Sequence, residues 1–370
     1  MTSRALARVN LAAIERNAAT LVRASPRLCA VVKADGYGHG ALQCARAALA
    51  GGATMLAVAT AAEAAQLRAG AVAAPIIVLG ALSRDELTQA IAADAEVVAW
   101  TDTMLDWIEQ QTGGRVHVKL DTGMGRLGTR DGALADRLVA RALASEAIEL
   151  AGLMTHFATA DESDTSFLEQ QSERFTAWIE PLRERHGPIL AHAENSAALL
   201  TAGSTRFDMA RCGVALYGLD PFGVDAAPHG LEPALELHSW VAALKPCAPG
   251  ESAGYGRRFI ASEPTVVAVL PIGYADGVRR VLSPGADALI GGIRRPFAGT
   301  ISMDNLAVEV GGGGGVEIGS AAILIGAGGG ERITAEELAG LAGTINYEIT
   351  CGVSERVRRE YHRDGEPVEA

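Results

Sequence analysis

From residue 28 onward, short β-branched runs alternate with stretches of helical period. LCAVVKA (28–34), MLAVAT (55–60), PIIVLG (75–80), AEVVAW (95–100) and RVHVKLD (115–121) read as strands. IELAGLMTHF (148–157), PILAHAENS (188–196) and the region of RFDMARCGVALYG (206–218) bring the count to eight. Between them lie helical patterns such as AAEAAQLRAG, SRDELTQAIAAD, TDTMLDWIEQ and ESDTSFLEQQSERFTAWIEPLRERHG. Thr60 and Glu63 have capping-box spacing, which satisfies free backbone donors at a helix start. Gly51, Gly70 and Gly187 stand where helices should stop. Eight strand–helix alternations over about 190 residues predict an α/β fold with an N-terminal (β/α)8 TIM barrel. A doubly wound open sheet shares the strand count. The barrel alone predicts functional residues gathered at the C-terminal ends of many strands.

After residue 228 the texture changes. ALELHSWVAAL, TVVAVLPIGYADGV, FAGTISMDNLAVEV and AAILIGAG, separated by Gly/Pro loops, predict a mostly β domain. GGGGG (311–315) and GAGGG (326–330) read as hairpin turns, since neither leads into a helix behind a parallel strand. TAEELAGLAG opens with Thr334 and Glu337 at capping-box spacing. The expected division is residues 1–228 and 229–370, with a first strand near 4–11 as a candidate to join the second domain.

Composition narrows the function classes. The 370 residues exceed one ordinary domain, and 49% are apolar, enough for a large core. No run of some eighteen apolar residues occurs, so no membrane span is expected. The N-terminus lacks a secretory-signal pattern. A net charge of −12 argues against a general affinity for nucleic acid or anionic membranes, though not against a small anionic ligand. Cys29, Cys44, Cys212, Cys247 and Cys351 are odd in number and lack CxxC spacing. Reduced thiols, no metal site and a cytoplasmic location are expected.

VVKADGYGHG carries the sharpest chemistry. Lys33 ends an apolar strand, which points its ammonium into a partly desolvated barrel mouth. Desolvation lowers a lysine pKa and readies the amine for a Schiff base. Taken alone, a lysine after a β run is more often a solvated strand end. Tyr37 follows four residues on, and the glycines around Gly38 permit a tight turn.

This segment resembles the lysine motif of the alanine racemases, pyridoxal-phosphate enzymes of fold type III. Further segments resemble the family in order along nearly the whole chain: VHVKLDTGMGRLG (116–128), LMTHFATAD (153–161), HAENSAA (192–198), MARCGVALYG (209–218), AGYGRRF (253–259), LPIGYADGV (270–278), GTISMDN (299–305) and TINYEITCGVSERV (344–357). The resemblance implies interconversion of L- and D-alanine by two bases, supplying D-alanine for peptidoglycan. It also implies a homodimer whose active sites draw on both copies.

Residue by residue, the resemblance implies that Lys33 holds pyridoxal 5'-phosphate covalently and acts as one base. Tyr255, in the GYG motif, becomes the other base, reaching into the second copy's site. Tyr37, Tyr347, Ser196, Gly213 and Val214 match phosphate contacts, and Asn195 a contact to the cofactor ring. Arg211 falls on the pyridine nitrogen. A guanidinium only donates, so it disfavours a protonated ring and limits delocalisation into it, which suits proton removal and return. His156 matches the histidine that bonds the catalytic tyrosine. A tyrosine acting near pH 8 needs its phenolate stabilised by about 3 kcal/mol. Arg126, Met303 and Tyr274 match substrate-binding positions, and Asp304 accompanies Met303. Lys119 and Arg126 read by themselves as a rim cation pair or anion site; in the family the matching lysine is often carbamylated. ADGYGHG for the commoner ANAYGHG, Cys212 in MARCG and the ending VSERVRREY depart from the family pattern.

Other readings remain open at this stage. A decarboxylase of the same fold class places a carboxylate at the pyridine nitrogen, which Arg211 opposes. A non-catalytic pyridoxal-phosphate carrier lacks the second domain. A broader, serine-accepting racemase differs by small changes around Tyr255, Tyr274 and Tyr347.

Overall fold

The computed structural model describes residues 3–312 and 314–368. The chain opens with strand β1 (Leu6–Asn10) and a helix, Leu11–Ala24, whose first turn is capped by the Asn10 side chain. Eight parallel strands follow: β2 (Leu28–Val31), β3 (Met55–Val58), β4 (Ile76–Val78), β5 (Glu96–Ala99), β6 (Gly114–Lys119), β7 (Ile148–Met154), β8 (Ala191–His192) and β9 (Ala210–Cys212). They run side by side from β8 through β7 down to β2 and on to β9. Backbone bonds from Asp208 N to Ala191 O and from Arg211 N to Glu194 O, each 2.9 Å, close the remaining gap. The outcome is the barrel, not the open sheet.

Local sequence explains the alternation. β2, β3, β4 and β5 are buried along their whole length, as strands must be when helices cover one face and packed side chains fill the other. The helices Ala61–Ala69 and Arg84–Ala92 each start with a complete capping box, Thr60 with Glu63 and Ser83 with Glu86. Gly51, Gly70 and Gly187 end helices as expected.

The second half is β-rich. Its strands are β10 (Leu235–Trp240), β11 (Ala243–Cys247), β12 (Ser252–Ala253), β13 (Phe259–Ile260), β14 (Thr265–Leu270), β15 (Asp287–Ile290), β16 (Ile293–Pro296), β17 (Leu306–Gly311), β18 (Ala321–Gly328), β19 (Glu331–Ile333), β20 (Arg358–Arg363) and β21 (Glu366–Pro367). The largest sheet runs β16-β15-β18-β10-β1-β20-β21, with β19 beside β18, and a smaller one runs β11-β14-β17. β1 lies antiparallel to β10 and parallel to β20, tying the chain start into this sheet.

Two turn expectations part company. Gly329 and Gly330, at φ 64° and 91°, turn the chain between the antiparallel strands β18 and β19. The run 311–315 is no hairpin: β17 pairs with β14, whereas β18 pairs with β10 and β15. Gly311 ends β17, the next strand belongs to another sheet, and Gly313 itself lies outside the described residues. Thr334 caps the helix Ala335–Ala342, but the Glu337 carboxylate turns to Arg294 at 2.6 and 2.8 Å. An ion pair outcompetes the second half of that capping box. No helix among the described residues is long and apolar enough to cross a membrane, and none of their His, Cys, Asp or Glu side chains form a metal-binding group.

Candidate active site

The strand expected over 28–34 stops at Val31, and Lys33 opens a left-handed turn. Ala34, Asp35, Gly36 and Tyr37 have φ of 52°, 51°, 61° and 54°. L-residues adopt this region at a cost, so its persistence requires anchors on every side. Ala34 N donates to Glu63 Oε1 at 2.7 Å, and Ala41 N to Asp35 Oδ1 at 2.9 Å. The Arg359 guanidinium donates to the Gly38 carbonyl at 3.1 and 3.0 Å. Sequence reasoning saw the glycines but not the hand of the turn; Asp35, tolerant of this region, was the available sign. The turn aims Lys33 into the barrel mouth and buries Tyr37.

A cavity of about 590 Å³ lies there, lined by residues at and just beyond the C-terminal ends of strands. It contains Lys33, Tyr37, Lys119, Arg126, His156, Asn195, Ser196, Arg211, Gly213, Val214 and Tyr347 from the expected set. Among the described residues its lining holds four cationic side chains, Lys33, Lys119, Arg126 and Arg211, and no carboxylate. Such a donor set fits an anionic ligand rich in acceptors. Burial, then the charge of Arg126, pushes the Lys33 amine below the ordinary lysine range. Burial, then Arg211 and Arg126, lowers Lys119 to about 8.

One end of the cavity is built for close backbone approach. Ser196 Oγ accepts from Gly213 N at 3.1 Å and Ala215 N at 3.4 Å. The Asn195 side chain caps the helix Ser196–Ala202 by accepting from Ala198 N at 3.0 Å. A Cβ on Gly213 would collide with the Tyr37 hydroxyl. Tyr37 stacks on Tyr217 at 5.0 Å between ring centres and meets Tyr347 at 6.1 Å. Burial raises both the Tyr37 and Tyr347 hydroxyls far above the usual phenol range, so both stay protonated donors.

Arg211 is buried, and its guanidinium is held from several sides. Nη2 donates to Thr155 O at 2.8 Å, Ala193 O at 2.9 Å and His156 Nδ1 at 3.1 Å. Nη1 donates to His192 Nδ1 at 2.7 Å. Burial lowers its pKa to about 10, which leaves it charged near neutrality. Because arginine cannot accept, His156 must present a bare Nδ1 and carry its proton on Nε2. Burial, then Arg211, holds His156 well below the ordinary histidine range and hence neutral.

Tyr255, Tyr274 and Met303 form a separate group on the β domain, 69%, 42% and 52% exposed and outside the cavity lining. Tyr274 N donates to Ser302 O and Ala275 N to Met303 O, each at 3.0 Å. The Thr300 hydroxyl donates to the Tyr255 carbonyl at 2.9 Å, and Gly254 and Gly256 flank it at φ 73° and 72°. Asp304 pairs with Arg356 at 2.7 Å.

A barrel with a depressed lysine in a cationic mouth, joined to a β domain exposing two tyrosines, defines a two-domain class of enzyme. Residues 9–221 match the family description "Alanine racemase, N-terminal domain", and 234–361 match "Alanine racemase, C-terminal domain". The alanine racemase of Symbiobacterium thermophilum is 42% identical over 96% of this chain and 96% of its own. That of Halalkalibacterium halodurans is 40% identical over 97% and 95%. The crystal structure of the alanine racemase from Bacillus anthracis with bound L-Ala-P superimposes with a TM-score of 0.91, at 34% identity, covering 100% of this chain and 97% of that one. The chain belongs to the alanine racemase family.

Proposed function

We propose that this chain racemises alanine, using pyridoxal 5'-phosphate held covalently by Lys33. The observation that carries the reading is the cavity with four cationic side chains and, among its described lining residues, no carboxylate. When bound, the cofactor supplies an electron sink for the pair left behind as a proton leaves the α-carbon. Its phosphate would be held by Tyr37, Ser196, Tyr347 and the backbone of Gly213 and Val214, with Asn195 beside the ring. Arg211, held by Thr155, Ala193, His156 and His192 and unable to accept, would stand at the pyridine nitrogen and disfavour its protonation.

The chain's own groups move the proton. Lys33, depressed by burial, accepts or returns it on one face of the substrate. Tyr255 of a second copy serves the opposite face. Its 69% exposure on a single chain supports this role, because a base aimed at its own cavity would be enclosed. Arg211 forces the His156 proton onto Nε2, and a donor there stabilises the phenolate that Tyr255 must become. Arg126 attracts the substrate carboxylate, and Tyr274 and Met303 complete the pocket from the second copy. The amine of Lys119, lowered to about 8, has a neutral fraction at physiological pH, the form that carbamylation consumes.

The homodimer, a division near residues 228–229, a cytoplasmic location and a role in peptidoglycan precursor supply belong to the same reading. The test is a racemisation assay with L- and D-alanine and a panel of other amino acids, followed by borohydride reduction and peptide mapping. Turnover of alanine, with the reduced cofactor on Lys33, is expected. A protein loaded with cofactor that leaves Lys33 unmodified refutes it, and faster turnover of serine favours the broader racemase.

A further inference from the structure

Below the cavity, a row of buried polar side chains runs from Arg211 across the barrel interior. Arg211 Nη1 meets His192 Nδ1 at 2.7 Å, His192 Nε2 meets His117 Nδ1 at 2.9 Å, and His117 Nε2 meets Glu96 Oε2 at 2.6 Å. Arg115 Nε lies 3.4 Å from the other Glu96 oxygen. Only one arrangement of protons satisfies the row. Arginine donates and never accepts, so His192 Nδ1 is bare and Nε2 carries the hydrogen. That hydrogen makes His117 Nδ1 the acceptor, and His117 then donates from Nε2 to the Glu96 carboxylate.

We propose that Glu96 and His117 are positioning residues for Arg211, fixing the His192 tautomer that pins its guanidinium. The proposal rests on the racemase reading only for what Arg211 does. Space for the row is built into the neighbouring strand: Gly152 sits opposite His117 in the β6–β7 register, and a Cβ there would meet His117 Nδ1 at 2.6 Å. His192 and His117 are fully buried, so neither can exchange this partner for water. Burial, then Arg211, also holds His192 well below the ordinary histidine range. If the Glu96 acceptor is removed, the His117 Nε2 hydrogen is stranded. Reversing the row to relieve it sets a His192 hydrogen against one on Arg211. Either way the guanidinium loses its fixed aim.

The holoenzyme, labelled with 15N-histidine, is compared as wild type, Glu96→Gln, Glu96→Leu and Gly152→Ala. Glutamine keeps an acceptor oxygen without the charge, leucine removes the acceptor, and the alanine methyl displaces His117. Wild-type His192 is expected as the Nε2–H tautomer between about pH 6 and pH 9. Glu96→Leu and Gly152→Ala should each shift that resonance pattern, move the cofactor absorption band and lower kcat about 10- to 100-fold. KM should stay within about threefold, and Glu96→Gln should restore most of kcat. The opposite tautomer in the wild type overturns the proposal whatever the activity. So does a folded Glu96→Leu with unchanged His192 resonances and kcat. If Glu96→Leu fails to fold, Gly152→Ala and Glu96→Gln decide by the same readouts. A protein with the expected His192 tautomer but no racemisation refutes the proposed function and leaves the row intact.

Discussion

Replacing Glu63 by alanine tests whether the Lys33 turn is held in place or merely tolerated. Its carboxylate accepts Ala34 N at 2.7 Å, Ala59 N at 2.7 Å and Thr60 N at 3.1 Å, so one side chain ties the ends of two barrel strands to a helix start. The Ala34 and Thr60 groups are exposed and rehydrate at little cost. The part-buried Ala59 N–H is left without an acceptor, costing about 1–3 kcal/mol. With the weakened cap, the expected loss is about 2–3 kcal/mol. Opposing the anchors is the strain of Ala34, Asp35 and Tyr37, at about 1–2 kcal/mol for each such residue. The turn therefore stands close to release once its first anchor goes. Urea unfolding should show a lower midpoint with unchanged slope, and turnover should fall about tenfold because Lys33 loses its fixed approach. Glu63→Gln, retaining one acceptor oxygen, should recover about half of the stability. A Glu63→Ala protein within about 0.5 kcal/mol of wild type and with full turnover would refute the reasoning.

Three further outcomes follow from the same geometry. Lys119 sits at about 8 in the folded chain against about 10.4 unfolded, so the unfolded state binds more protons between those values. Stability of the cofactor-free protein should rise as pH climbs from 8 toward 10.4, and Lys119→Met should flatten that rise; an unchanged slope counts against the shift. Gly213→Ala drives a methyl group into the Tyr37 hydroxyl and should weaken cofactor affinity at least tenfold by fluorescence titration, whereas unaltered affinity would remove this contact from the binding site. Tyr255→Phe should cut racemisation in both directions by about 10² to 10⁴, while solvent-isotope exchange persists from one enantiomer and the cofactor spectrum stays intact. Symmetrical loss of exchange from both enantiomers would take Tyr255 out of the mechanism.

The sequence disclosed the barrel because its strands are short, apolar and regularly spaced, and because helix starts such as Thr60 with Glu63 carry their own chemistry. It failed where competition between partners decides the outcome. Glu337 had the spacing of a capping residue, yet Arg294 from another strand claimed it. The glycine run 311–315 looked like a hairpin because turn composition is local, whereas the pairing of β17 with β14 is not. Lys33 and Arg211, which line the cavity, were legible through their flanking motifs; Glu63 was read only as a helix cap, and Glu96, His117 and His192 were not singled out. A signal existed for His117: it stands two residues before Lys119, so strand alternation puts both on the inner face. Glu96, a charge opening an otherwise apolar strand, was the second hint.

Arg211 joins these pieces because one property, that it only donates, acts on both sides. Toward the mouth it fixes His156 with the proton on Nε2. Toward the barrel floor it fixes His192 with the proton inward, and that order continues to Glu96. A lysine in its place retains the charge but lacks the planar fork that serves two imidazoles and two carbonyls at once. Arg211→Lys should therefore disorder both histidines, visible as altered 15N resonances for His156 and His192 together. A lysine variant that shifted only one of the two would show that the rows are set independently and that the arginine is not their common origin.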